Sequence, residues 1–310
     1  MSCLKNFIMT TIKKLNQKLI THDGSFHTDD IFAAATLSIY LEKKGETFEI
    51  IRTRNEEIIK NGDYVFDVGG FYDEEKNRFD HHQVNGAGKR DNGIEYASFG
   101  LVWKKFGGEL CNGETEAELI DQKLVQPIDA GDNGVNLVEL KREVIPYFIQ
   151  YAFNAFRPGW KDVSEKALFV GFLECVQMAK NILTREIGRA RDITEAQKII
   201  FTIYRNAENK KIIVLDKKYP WEELMQNYPE PIFVVYPRID NSWGVEGVAA
   251  SKFSVEKRKK FPDTWAGLRN GELQEISKVP DALFCHRGLF MAVAKSKEGA
   301  VKLAQIALES

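Results

Sequence analysis

The spacing of apolar and polar positions changes along this chain, and the changes outline its elements. Residues 18–21 (Lys-Leu-Ile-Thr) read as the end of a first strand, and residues 22–28 as a polar loop containing Gly24. From Asp29 the spacing turns helical: Ile31, Phe32, Ala35, Ile39 and Leu41 approximate one buried stripe, Asp29 or Asp30 can cap its start, and Gly45 closes it. Residues 48–52 form a second strand, a short helix follows near residues 56–60, and residues 63–68 form a third strand ended by Gly69 and Gly70. Residues 83–93, with Gly86, Gly88, Lys89, Arg90 and Gly93, read as a mobile loop. Helices are expected over residues 96–106, 115–129, 164–189 and 194–206, with an irregular aromatic stretch at 146–160. Strands resume at 211–215 and 232–236, then at 243–250 and 283–285, and a last helix covers 297–308.

Alternating strands and helices predict a parallel sheet with helices on both faces, followed by a helical connector and a smaller α+β domain. At 310 residues the chain suits two domains, placed at residues 1–207 and 208–310. In parallel sheets, ligands sit at the carboxyl ends of strands. His22 and Asp67 both fall at such ends.

Composition adds boundaries. Apolar content of 44% and charged content of 28% are those of a chain able to bury sizeable cores, and a formal net charge of −2 gives no global pull on polyanions. A nucleic-acid partner would therefore need a local basic cleft. Cys3, Cys111, Cys175 and Cys285 are scattered without a Cys-x-x-Cys, so a reducing compartment is the default and the expected location is cytoplasmic, with mitochondrion or nucleus as alternatives. No apolar run approaches the roughly 18 residues needed to span a bilayer, and no membrane partner is expected. The lysine-rich first 19 residues lack the apolar core of a signal peptide, and Met9 is a second candidate start.

Chemistry concentrates in the histidines. There are five, and four of them form two tight groups, His22/His27 and His81/His82, each accompanied by aspartate. Imidazole and carboxylate together suit Mn, Zn, Co, Fe or Ni. His22, His27, Asp29, Asp67, His81 and one later aspartate exceed the needs of a single tetrahedral zinc and match two adjacent divalent metals sharing a carboxylate. The later aspartate is Asp129, with Asp132 as its rival.

These residues follow the ordered motifs of the DHH phosphoesterase superfamily. The chain most resembles the melanocyte proliferating gene family of metal-dependent exonucleases, through Thr21 to Asp29, Arg52-Thr53-Arg54, Asp67 to Gly70, Asp80-His81-His82-Gln83, Ile128 to Gly134, Trp265 to Arg269 and the tail near His286. The resemblance implies a DHH-like catalytic domain and a second, substrate-binding domain, with the active site in a cleft between them. It implies that Asp67 bridges two metals, expected to be Mn2+ with Zn, Co, Ni or Mg as alternatives. His22, His27, Asp29, His81 and Asp129 would complete the ligand set, His82 would face the phosphate, and Asp80 would orient a histidine. One departure stands out: His27 replaces the earlier of two aspartates usual in the superfamily's first motif, adding a nitrogen ligand.

Arg52 and Arg54 near a strand end, and Arg269, His286 and Arg287 in the second domain, are the candidate substrate contacts. Trp265 beside Arg269 could stack on a base. The expected activity is metal-dependent hydrolysis of phosphodiesters by an activated water, as a 3′-to-5′ exonuclease on RNA or short oligonucleotides. Two alternatives remain: a phosphatase for pyrophosphate or a nucleoside bisphosphate, and a non-catalytic metal-dependent RNA-binding protein. A homodimer is compatible with the sequence.

Overall fold

The computed structural model describes residues 16–140, 142–251 and 254–310. The lysine-rich leader, up to residue 15, lies outside the described residues. Two compact units emerge, Met1–Ala190 and Arg191–Ser310. The division falls inside one long helix, whose end lies where the sequence suggested a boundary at 207/208.

The first unit begins β1 (Asn16–Thr21), α1 (Thr28–Lys44), β2 (Thr47–Arg52), α2 (Glu56–Lys60) and β3 (Tyr64–Phe66). Two short strands follow, β4 (Tyr72–Asp73) and β5 (Arg78–Phe79). Sheet order is β2-β1-β3-β5-β4. β1 runs parallel to β2 and β3, and β3 parallel to β5; only the edge strand β4 is antiparallel. The chain leaves β1 toward β2 and returns to β3 on the other side, so the sheet's topological switch lies between β1 and β3, where an open α/β sheet has its crevice. β1, β3 and β5 all end at this edge, and α1 starts there.

α1 is buried almost all round, which explains why its apolar pattern extends beyond one stripe. Gly45 ends it in the left-handed conformation at φ 69°. α1 packs on α3 (Ser98–Cys111), with Phe32 against Phe99 (5.0 Å between ring centres) and Tyr40 against Phe106 (4.4 Å). The helix expected at 115–129 is α4 (Glu114–Ile120), a π-helical turn (Asp121–Val125) and α5 (Gln126–Asp132). The wide turn ends two residues before Pro127, which has no N–H for the regular ladder.

After α6 (Ile149–Asn154), the two helices expected at 164–189 and 194–206 form a single one, α7 (Glu165–Asn206). No Gly or Pro interrupts residues 190–193, so nothing stops the helix there. By length and composition alone α7 is long and apolar enough to cross a membrane. Its Phe172, Cys175, Val176, Ala179, Leu183 and Ile187 follow helical spacing into the first unit's core.

The second unit has a five-stranded sheet, β6 (Ile212–Val214), β7 (Phe233–Pro237), β8 (Trp243–Gly247), β9 (Ala282–Cys285) and β10 (Met291–Ala294), in order β6-β7-β8-β10-β9. Only the β6–β7 pair is parallel. The short α8 (Glu222–Met225) joins β6 to β7, α9 (Asn270–Ser277) precedes β9, and α10 (Lys297–Glu309) packs on the sheet. β10 and α9 were not foreseen.

Candidate metal centre

Three parallel strand ends and one helix start deliver the site. His22 follows β1, Asp67 follows β3, and Asp80 and His81 follow β5; His27, Asp29 and Asp30 open α1. Asp67 takes a left-handed backbone at φ 55°, which aspartate tolerates better than most residues and which a continued strand would not give.

The polar atoms converge. His22 Nε2 lies 3.1 Å from Asp67 Oδ2 and 3.2 Å from Asp30 Oδ2. His81 Nε2 lies 3.3 Å from Asp67 Oδ1, 3.3 Å from Asp132 Oδ2 and 3.9 Å from Asp29 Oδ2. Donor atoms cluster as His22/His27/Asp67, as Asp67/His81/His82 and as His27/Asp29/Asp132. Asp67 belongs to two of these groups, as does His27, whose ring lies at the exposed side of the site.

Tautomers are set from behind. His22 Nδ1 is 2.8 Å from the Asp23 carbonyl, which only an N–H can satisfy, so Nε2 is the nitrogen that would bind a metal once its proton leaves. Asp80 holds the Asp-His-His turn: Oδ1 accepts from His81 N (2.8 Å), His82 N (3.1 Å) and His82 Nδ1 (2.8 Å), and Oδ2 from Gly70 N (2.6 Å). His82 is 61% exposed, with Nε2 left for whatever enters the site.

Charge and burial are in conflict here. Burial and the neighbouring Asp67, Asp132 and Asp30 hold Asp29 well above the usual carboxylate range. Burial works against an imidazolium at His22, yet Asp30 and Asp67 outweigh it and raise the ring to about 10. Burial likewise opposes, and Asp67 outweighs it in raising, the charged His81. Asp67 is held below the usual range by His22 and His81 against its burial.

The donor set fits a divalent cation. His22 Nε2, both oxygens of Asp29, Asp30 Oδ2, Asp67 Oδ2 and His81 Nε2 are buried without a hydrogen-bond partner. Such atoms are costly to leave unmade, and a shared cation satisfies them together.

Asp129, which the resemblance placed in the ligand set, is not among them. Its side chain is fully buried, accepting from Arg90 Nη1 (2.8 Å) and Gly100 N (3.0 Å). A Cβ at Gly100 would come within 1.9 Å of Asp129 Oδ2, so that approach requires glycine. Asp132, one helical turn on, takes the place beside His81. Arg90 also donates to both oxygens of Asp121 (3.0 and 2.6 Å) and stacks 4.1 Å from the Tyr96 ring. The loop expected to be mobile is thus pinned at Arg90.

Arg52 is engaged within the fold. Nη2 donates to the Gly24 carbonyl at 3.0 Å, and its guanidinium lies 4.7 Å from the Phe172 ring and 5.7 Å from Phe26. Arg157, which the sequence did not single out, flanks Phe26 (5.5 Å) and donates to its carbonyl. Ser98, also unforeseen, reaches Asp67 Oδ1 at 3.4 Å. Arg54 is 63% exposed beside the site, its Nε 3.1 Å from Asp23 Oδ1.

In the second unit, the exposed Arg269 lies over the Phe284 ring at 4.5 Å. His286 Nδ1 accepts from Gly288 N at 2.9 Å, leaving Arg287 exposed between β9 and β10. Trp265 is buried at 2% exposure and cannot stack on a base.

A family model described as MYG1_exonuc, uncharacterised protein family (UPF0160), matches residues 18–308. A MYG1 protein of Chlamydia muridarum is 31% identical over 93% of this chain and 96% of its own. The protein named MYG1 exonuclease of Rattus norvegicus is 26% identical over 93% of this chain and 84% of its own. Among solved structures, RecJ of Thermus thermophilus in complex with Mn2+ aligns over 95% of this chain and 52% of its own, at 12% identity and a TM-score of 0.27, too low to bear on the fold.

Proposed function

The chain belongs to the UPF0160 (MYG1_exonuc) family, and from that premise we propose that it is a metal-dependent phosphodiester hydrolase that removes nucleotides from the 3′ end of RNA or short oligonucleotides. The observation that carries the reading is the ring of buried, unpartnered imidazole and carboxylate atoms around Asp67. His22, His27, Asp29, Asp67, His81 and Asp132 would hold two divalent ions, with Mn2+ the first candidate. Bound there, the ions would polarise a phosphoryl oxygen and make water a better nucleophile at neutral pH.

The chain's own groups supply the rest. Asp80 keeps His82 Nδ1 protonated and aims the ring, so Nε2 can hold a proton toward a phosphoryl or leaving oxygen. Asp80 also raises the His82 pKa, so the charged ring persists where the ordinary imidazole would be neutral. Exposed Arg54 offers a guanidinium to phosphate. In the second unit, Arg269 on Phe284, His286 and Arg287 combine cationic and aromatic groups suited to a nucleotide.

The test is a time course on 5′-labelled RNA with Mn2+. A ladder shortening one nucleotide at a time supports the proposal. Orthophosphate release from pyrophosphate or a nucleoside bisphosphate, without a ladder, replaces it with a small-molecule phosphatase. An Asp67→Asn protein as active as the wild type would end both.

A further inference from the structure

We propose that Asp30 is a metal-binding carboxylate as well as the cap of α1, and that it sets which ion the His22 position prefers. The inference rests on the metal-centre reading above.

Capping uses one oxygen: Asp30 Oδ1 accepts from His27 N at 3.0 Å. The other, Oδ2, has no hydrogen-bond partner, and the residue is entirely buried. Capping does not require this. Asn55 caps α2 through Oδ1, accepting from Glu57 N and Ile58 N, and it does so from an exposed position. A buried oxygen aimed away from its cap needs another reason.

Its direction supplies one. Asp30 Oδ2 is 3.2 Å from His22 Nε2, the ring nitrogen that faces the carboxylates, and Asp67 Oδ2 is 3.1 Å from the same atom. Both are ion-pair distances when the ring is charged, so a cation would replace the ring's proton between the same oxygens. Ligands bound at about 2.0–2.2 Å, at tetrahedral or octahedral angles, lie about 2.9–3.6 Å from one another. Both spacings are edges of such a polyhedron.

The second position repeats the pattern. His81 Nε2 lies 3.3 Å from Asp67 Oδ1 and 3.3 Å from Asp132 Oδ2. Each buried histidine therefore has two carboxylate oxygens within 3.3 Å, and Asp67 serves both with different oxygens. Asp30 stands to His22 as Asp132 stands to His81.

This changes the ion the site suits. His22, His27 and Asp67 alone give two nitrogens and one carboxylate, a set for softer ions. Adding Asp30 gives two carboxylates, which match the charge of a divalent cation and favour harder Mn2+.

The experiment is calorimetry of Mn2+ and Zn2+ binding to metal-free wild type, Asp30→Asn and Asp30→Ser, with metal content after dialysis and thermal unfolding of each metal-free protein. Both variants keep an oxygen for the cap and remove the carboxylate. The expected result is two Mn2+ positions in wild type, with one weakened at least tenfold in both variants and Zn2+ weakened less. Thermal unfolding of the metal-free variants separates lost binding from lost folding, since Asp30 also pairs with the His22 ring at 3.2 Å. His81→Ala should weaken the other position, in combination with Asp30→Asn removing both. Wild-type isotherms for either folded variant would overturn the Asp30 assignment alone. A wild type that binds neither ion would overturn it together with the metal centre.

Discussion

Asp80 and His82 are locked side chain to side chain: His82 Nδ1 donates to Asp80 Oδ1 at 2.8 Å while the rest of the ring is exposed. The contact fixes the tautomer, aims Nε2 outward and raises the His82 pKa chiefly through that hydrogen bond. A raised pKa keeps His82 protonated to higher pH. Asp80→Asn should therefore move the alkaline limb of the kcat/KM profile to lower pH, with the ring's NMR titration shifting the same way. Superimposable profiles would show that His82 acts independently of Asp80.

Asp129 and Asp132 should separate cleanly in mutants. Asp132→Asn is expected to lower metal content with little effect on metal-free stability, since its partner is His81 at the site. Asp129→Ala strips a buried carboxylate from Arg90 and should cost about 3–5 kcal/mol with metal content retained at permissive temperature. Gly100→Ala, which intrudes on the same carboxylate, should act in the same direction.

Asp129 also carries a pH signature. Burial raises it from 3.8 to about 7, Arg90 opposing. A raised folded pKa contributes stability that is fully present below the unfolded value and lost as pH rises through the folded one. Wild type should therefore lose urea stability between about pH 4 and 7, at up to about 1.4 kcal/mol per pH unit from this group. Asp129→Asn should flatten that slope; an unchanged slope would assign it to other groups.

What the sequence made legible was local. β1 and β3 could be read as strands, and their ends carry His22 and Asp67. β5 has two residues, too few for a period, so the place of Asp80 and His81 at a third parallel strand end was hidden. Asp129 and Asp132 lie one turn apart before the same glycine-rich stretch, and only Arg90, from a distant loop, tells them apart. Asp30 looked like an ordinary cap because its second oxygen is interpretable only once His22 is beside it. Trp265 looked available for stacking because burial in the core around Phe261 is a tertiary fact (5.9 Å between rings).

In the metal-free protein His22 should be an imidazolium at neutral pH, since Asp30 and Asp67 outweigh its burial and raise it to about 10. Its stabilising contribution is fully present below 6.5 and lost as pH rises through about 10. A metal needs Nε2 without its proton, so binding at pH 7 should release protons. Calorimetry in buffers of different ionisation enthalpy reads that release directly, and apparent affinity should increase from pH 6 to 9. His22→Ala should reduce the number of protons released. Buffer-independent heats would contradict the charged state of the ring.

Arg52 sits at the end of β2, a position that suggested phosphate binding. Its guanidinium instead spans Phe172 and Phe26 and donates to the Gly24 carbonyl, while Arg157 donates to the Phe26 carbonyl from another side. Both arginines thus grip the loop that carries His22 and His27. A partly desolvated cation–π contact contributes about 1–2 kcal/mol and the hydrogen bond about 1 kcal/mol more. Arg52→Gln should therefore lower metal-free stability by about 1–3 kcal/mol and weaken metal binding, because the loop is no longer held in its ligating shape. At saturating metal, KM for the phosphodiester substrate should change little and kcat should recover. Arg54→Gln should raise KM, since its exposed guanidinium stands at the rim of the site, 3.1 Å from Asp23 Oδ1 and 3.4 Å from His22 Nδ1. A raised KM with unchanged metal affinity in Arg52→Gln would return Arg52 to the substrate-binding role its position first suggested.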